Sequence, residues 1–136
     1  MRLVICVEDR GGMAFNKRRV SRDKLMISDF AEYAGDSAVF IEPYSEELFS
    51  EVSLNIILSE NPSKFAERCD FVFIERQSPR IFAELASEIV IYKWNRRYPF
   101  DVAIDFSPES LGFKLESTLD FEGNSHDKIT REVYKR

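Results

Sequence analysis

Apolar residues fall in short runs between polar turns, and the spacing within the runs changes along the chain. "RLVICV", residues 2–7, is continuous and β-branched, the pattern of a strand buried on both faces. Gly11 and Gly12 break it. "SRDKLMISDFAEYAG" has helical spacing, with Leu25, Ile27, Phe30, Ala31 and Ala34 on one broad face, and predicts a helix from a Ser21 cap to a Gly35 stop. "SAVFI" predicts a second strand, Pro43 opens a short helix over "YSEELF", and "LNIILS" predicts a third strand. Asn61-Pro62 and Ser78-Pro79 each have cap-then-proline order. They predict helical turns through Arg68 and over "PRIFAELA". "CDFVFIE" and "EIVIYKW" predict strands four and five. "GFKLESTLDF" and "KITREVYK" then alternate apolar with polar residues, as antiparallel strands with one wet face do. Strands alternate with helices early and come without them late. This order predicts an α/β fold: a mostly parallel central sheet with a C-terminal antiparallel hairpin at one edge.

At 136 residues the chain has the length of one domain, residues 1–136, with enough bulk for a real core. Twelve Phe and five Tyr supply large buried areas, and Phe71, Phe73, Phe113 and Phe121 are expected in the core. The first apolar run is too short for a signal-peptide core, and no run is long enough to span a membrane, so a cytoplasmic protein is expected. Cys6 and Cys69 sit in apolar runs and read as buried free thiols of a reducing compartment. No CxxC pair is present, and no metal site is expected.

The net charge is −5, yet residues 17–24 hold five basic side chains, Lys17, Arg18, Arg19, Arg22 and Lys24. A second basic group, Lys93, Arg96 and Arg97, lies in "KWNRRYP" with Trp94 and Tyr98. Clustered cations repel one another, and an anionic partner relieves the repulsion. Phe15, Trp94 and Tyr98 offer stacking surfaces for such a partner. Pairing with carboxylates such as Glu8, Asp9 and Asp101 is the competing explanation.

The order of elements resembles the dihydrofolate reductase family. "LVICVEDRGGMAFN" is similar to that family's first strand and mobile active-site loop. "NIILSENP" resembles its strand-and-turn segment, "YPFDVAIDF" the segment after its long strand, and "GFKLESTLDFEGNSHDKITREVYKR" its C-terminal hairpin. The chain is also similar to an uncharacterised family of small bacterial proteins, some of which are labelled ribonuclease Z. That activity needs a dinuclear zinc site rich in histidine, and this chain has one histidine, His126. A pairing of Cys6 or Cys69 with His126 is the remaining nucleophilic combination on paper.

The resemblance implies a dinucleotide held by two glycines after one strand, where "FIERQSP" here puts Glu75 and Arg76. It implies a cation after the second strand, where Glu42 stands, and a hydroxyl after "NIILS", where Glu60 stands. The arginine that grips folate aligns with Ser53, "RRVS" replaces a Pro-Trp pair, and the proton-linked carboxylate falls near Asp23, which reads as a helix-start acid. Few residues separate "NIILS" from the next strand, so the chain reads as a truncated member lacking one outer strand and helix.

The sequence therefore supports a non-reductase binding domain that holds no cofactor. Lys17, Arg18, Arg19, Arg22, Trp94, Arg96, Arg97 and His126 are its candidate site for an anionic small molecule or acidic partner (a nucleotide, phosphometabolite, RNA or acidic protein surface). The alternative is a reductase of the dihydrofolate type using NADPH in a reshaped cleft. A third reading is an oligomeric module, a homodimer paired through the exposed "NIILS" edge.

Overall fold

The computed structural model describes residues 1–61 and 70–136. Its strands are β1 (Arg2–Val7), β2 (Gly12–Phe15), β3 (Arg18–Arg19), β4 (Ala38–Ile41), β5 (Asn55–Leu58), β6 (Phe71–Phe73), β7 (Glu88–Lys93), β8 (Val102–Ala103), β9 (Lys114–Phe121) and β10 (Ile129–Lys135). Helix α1 spans Lys24–Ala34 and α2 spans Arg80–Leu85, with 3-10 helices at Pro43–Phe49 and Pro108–Leu111. Among the described residues, seven strands form the central sheet in the order β5-β4-β6-β1-β7-β10-β9. The first five are parallel to their neighbours, while β10 runs antiparallel to β7 and to β9. The predicted parallel sheet with an antiparallel C-terminal hairpin is thus the observed architecture. The helical turns predicted from Asn61-Pro62, and Cys69, lie outside the described residues.

The sheet separates two apolar layers. On one side Val4, Met26, Phe30, Phe71, Phe73, Tyr92 and Trp94 pack under α1. Phe30 lies edge-on to Phe71, at 5.4 Å, and to Tyr92, at 6.4 Å. On the other side Leu3, Ile5, Val72, Ile74, Phe82, Ile89 and Phe113 pack under α2. Phe71, Phe73 and Phe113 are fully buried, and Phe121 packs half-buried against the first layer. The β-branched strands β1 and β7 are buried on both faces because each side of the sheet is covered.

Several expected boundaries move. Asp23, not Ser21, caps α1: its carboxylate accepts from the N–H groups of Leu25 and Met26. One carboxylate oxygen here serves two of the four unpaired donors of a helix start. Gly35 ends the helix as expected, at φ +57°. Helix α2 begins at Arg80 with Pro79 as its flanking residue, and Ser78 makes no cap bond to the first-turn N–H at good distance.

The larger correction concerns residues 11–24. They are not one open loop: residues 12–19 form a hairpin within a second sheet, β3-β2-β8, and the stretch ends at Asp23 and Lys24, the cap and first residue of α1. Phe15 pairs with Arg18, and the two residues between them, Asn16 and Lys17, both have positive φ, 50° and 65°. Two successive left-handed residues match the twist of a tight hairpin. Gly12 allows the small sheet to close: a Cβ there would come within 2.4 Å of the Phe100 ring. Gly12→Ala is expected to cost about 1–3 kcal/mol through overpacking, measured as a lower denaturant midpoint with an unchanged slope.

Candidate functional site

The β1–β2 turn is held by one buried carboxylate. Glu8 accepts from the N–H groups of Arg10 at 2.6 Å, Gly12 at 2.8 Å and Tyr98 at 3.3 Å, and from the Arg10 guanidinium at 3.3 Å. Burial pushes its carboxyl up, but these hydrogen bonds outweigh it and hold the group below its ordinary value. Asp9 N–H donates to Arg96 O, and the Arg10 guanidinium donates to Tyr98 O. The segment that carries Arg96 and Arg97 is therefore tied to the β1–β2 turn, from which β2 leads into the hairpin of Lys17 and Arg18.

Within that frame the cations divide into two groups. Arg19 is engaged. Its guanidinium forks onto Glu75 at 2.7 and 3.0 Å and reaches Glu47 at 2.9 Å. Ser45 donates to the same Glu75 oxygen at 2.6 Å. Arg76, the other residue at the expected diglycine position, lies with its guanidinium 3.8 Å from the centre of the Tyr44 ring. Arg22 approaches Glu47 only at 3.9 Å. Lys17, Arg18, Arg96 and Arg97 are exposed, and none of them forms an ion pair among the described residues. Arg18 lines an open cleft of about 490 Å³ with Phe15, Asn16, Arg19, Val20, Tyr98 and Pro99. Phe15 is 42 % exposed and offers a ring face there.

Trp94 and His126 are placed differently from the surface arginines. Both are buried, and their rings stack at 4.8 Å with 23° between planes. His126 Nδ1 lies 2.9 Å from Asp23 Oδ2, while Nε2 lies 3.0 Å from Ser21 Oγ and 2.9 Å from the Tyr98 hydroxyl. Asp23 also accepts from the N–H groups of Asn124 at 3.0 Å and Ser125 at 2.8 Å. Gly123 permits this approach, since a Cβ there would meet Asp23 Oδ2 at 2.5 Å. A second cleft, lined in part by Arg22, Asp23, Ile27, Leu48 and Ser125, opens beside α1.

Sequence reading missed Ser21 and Asp23 as partners of His126, and Glu75 as the partner of Arg19. The first three sit in "SRD" and "NSH", 103 residues apart between Asp23 and His126, so no local spacing announces them. Cys6 forms no hydrogen bond with His126; burial pushes its thiol well up, and the Glu75 charge adds to that. No cluster of three metal-ligating side chains occurs among the described residues.

The comparison with solved structures gives the fold a name. The chain has a dihydrofolate reductase-like fold. It superposes on "Dihydrofolate reductase from Enterococcus faecalis complexed with NADP(H) and RAB-propyl" with a TM-score of 0.66 and 10 % sequence identity, over 99 % of this chain and 95 % of that one. That coverage gives no support to the expectation of a truncated chain, although β5 is the edge of the sheet among the described residues. No family model and no curated protein matches the sequence, and nothing supports the ribonuclease Z label. No helix among the described residues is long and apolar enough to cross a membrane.

Proposed function

We propose that this chain is a binding domain for an anionic partner rather than a reductase, with the cleft between the β2–β3 hairpin and Tyr98–Pro99 as its site. The observation that carries this reading is the set of unpaired, exposed cations: Lys17 and Arg18 on the β2–β3 hairpin, and Arg96 and Arg97 in the segment whose Tyr98 and Pro99 line the same cleft as Arg18. Arg18 and the Phe15 and Tyr98 rings share one cleft, a combination suited to a flat, phosphorylated small molecule. Arg19 lies at the cleft's inner edge but is already neutralised by Glu75.

The likeness to a reductase that binds NADP(H) favours a second reading, a reductase with a reshaped cleft. The residues fit the dinucleotide poorly. At the expected pyrophosphate position stands the buried Glu75 carboxylate, already satisfied by Arg19 and Ser45, with the Arg76 side chain following it. Glu42, at the expected cation position, accepts from Gln77. A phosphate entering there meets carboxylates instead of open backbone N–H groups.

Thermal melts at low salt against nucleotides, phosphorylated sugars, NADPH and short RNA separate these readings. A ligand at a hundred times its dissociation constant adds about 2.7 kcal/mol, a rise in melting temperature of roughly 10 °C for a domain of this size. The binding reading predicts a shift with a phosphorylated compound that falls with added salt and disappears in Arg18→Ala/Arg96→Ala. A shift with NADPH alone, accompanied by its oxidation in the presence of dihydrofolate, would overturn it.

A further inference from the structure

Ser21, His126 and Asp23 stand in the spatial order of a nucleophile, a base and an orienting carboxylate. Ser21 Oγ is 3.0 Å from His126 Nε2, and His126 Nδ1 is 2.9 Å from Asp23 Oδ2. Both separations are hydrogen-bond distances of the kind that a base-activated serine requires. The Asp23 side chain is 0 % exposed and that of His126 2 %. An imidazole N–H donated from Nδ1 to this carboxylate leaves Nε2 as an acceptor for a hydroxyl proton. Trp94, stacked on the imidazole, limits its rotation.

The surroundings of the trio add three observations. Ser21 is half-buried, where its two partners are fully buried, and its chain neighbours line different clefts, Val20 the arginine cleft and Arg22 the second. The N–H groups of Ser21 and Arg22 take no hydrogen-bond partner among the described residues. A free N–H on the residue after a nucleophile is a donor suited to a developing oxyanion. The Tyr98 hydroxyl is 2.9 Å from Nε2 and 3.3 Å from Ser21 Oγ. Two hydroxyls thus converge on one acceptor nitrogen, and Ser21 Oγ lies within hydrogen-bond reach of both the imidazole and the phenol oxygen.

We propose that Ser21 is an activated nucleophile and that the chain hydrolyses carboxylic esters bearing an anionic group. Ser21 Oγ forms a bond to the ester carbonyl carbon while its proton passes to His126 Nε2. The bond from that carbon to the alcohol oxygen breaks, and the alcohol leaves with the proton from Nε2. Water, deprotonated by the same nitrogen, then attacks the acyl-serine, releasing the acid and restoring the Ser21 hydroxyl. The role of Asp23 is to orient the imidazole and balance its charge as it takes up the proton. The preference for an anionic ester rests on the cleft reading above, through Arg18; the nucleophile does not.

The test is covalent labelling of the full chain with an uncharged fluorophosphonate, read by intact mass and peptide mapping. Turnover of p-nitrophenyl acetate is measured in parallel with that of its anionic hemisuccinate analogue. One adduct on Ser21, absent in Ser21→Ala and slowed about a hundredfold or more in folded His126→Gln, is the expected result. No adduct on Ser21, or equal labelling of folded His126→Gln, would overturn the proposal. If His126→Gln does not fold, the pH profile of labelling decides. A rate that rises as a single imidazole loses its proton supports the relay, and a flat profile sinks it. Equal turnover of the acetate and the hemisuccinate, with Ser21 labelled, would remove the anionic preference alone and leave the nucleophile standing.

Discussion

Asp23→Ala is expected to cost about 4 kcal/mol of stability, a large share of what a domain of this size holds. Loss of the α1 cap accounts for about 0.5–2 kcal/mol. The rest comes from the donors left behind in a buried place: the N–H groups of Asn124 and Ser125 and the His126 imidazole, each worth about 1–3 kcal/mol when unsatisfied, with partial relaxation. The same carboxylate makes stability depend on pH. Burial pushes its carboxyl up, but hydrogen bonds from His126, Ser125, Asn124 and Leu25 more than reverse this and hold it far below the usual carboxylate range. Its contribution is complete above the unfolded-state value, about 4, and is lost as pH falls below it. Urea midpoints at neutral pH and at pH 3 check both parts. The parent should lose stability over that interval, and Asp23→Ala should lose less. A variant within 1 kcal/mol of the parent at neutral pH would show that the network carries little.

Arg19→Ala is expected to destabilise by about 3–5 kcal/mol, the ordinary penalty for stranding a buried charge. The Glu75 side chain is 8 % exposed, and without Arg19 only the Ser45 hydroxyl remains to solvate it. Arg19→Met/Glu75→Leu removes both charges with similar volume and should lie near the parent, because the desolvation of two ions disappears together with their attraction. Chemical denaturation of Arg19→Met, Glu75→Leu and the double variant gives the coupling directly. Additive losses would mean that the pair interacts weakly despite its fork geometry.

The legibility of this fold in its sequence follows from where each determinant lies. β1, β4 and β7 are apolar runs whose burial on both faces needs no distant information, and Gly35 supplies its own stop. The α1 cap moved from Ser21 to Asp23 because both residue types cap helices, and the choice was made by Asn124 and Ser125, which bring their N–H groups to a carboxylate. β2, β3 and β8 escaped notice because they are short and, in β3, wholly basic. Their pairing depends on the close approach of Phe100 to Gly12 and on left-handed Asn16 and Lys17. The basic positions themselves were visible. Which of them would be spent was not, since the partner of Arg19 lies 56 residues away.

The position of β1 at the centre of the sheet sets the order in which the chain can mature. Arg2 pairs with Phe71 on one side and Glu88 on the other, both more than half a chain later. As the polypeptide leaves the ribosome, this largely apolar strand has no partner in the central sheet until β6 and β7 follow. Both pairings are parallel, so no local hairpin can nucleate them, and the closure entropy of a long loop precedes any gain from pairing. Within the described central sheet, β9 and β10 alone pair as a hairpin of neighbouring sequence, and β10 docks on β7 once both are made. Until β6 and β7 are made, β1 is a hydrophobic strand with two open edges, so residues 2–7 need shielding over that interval.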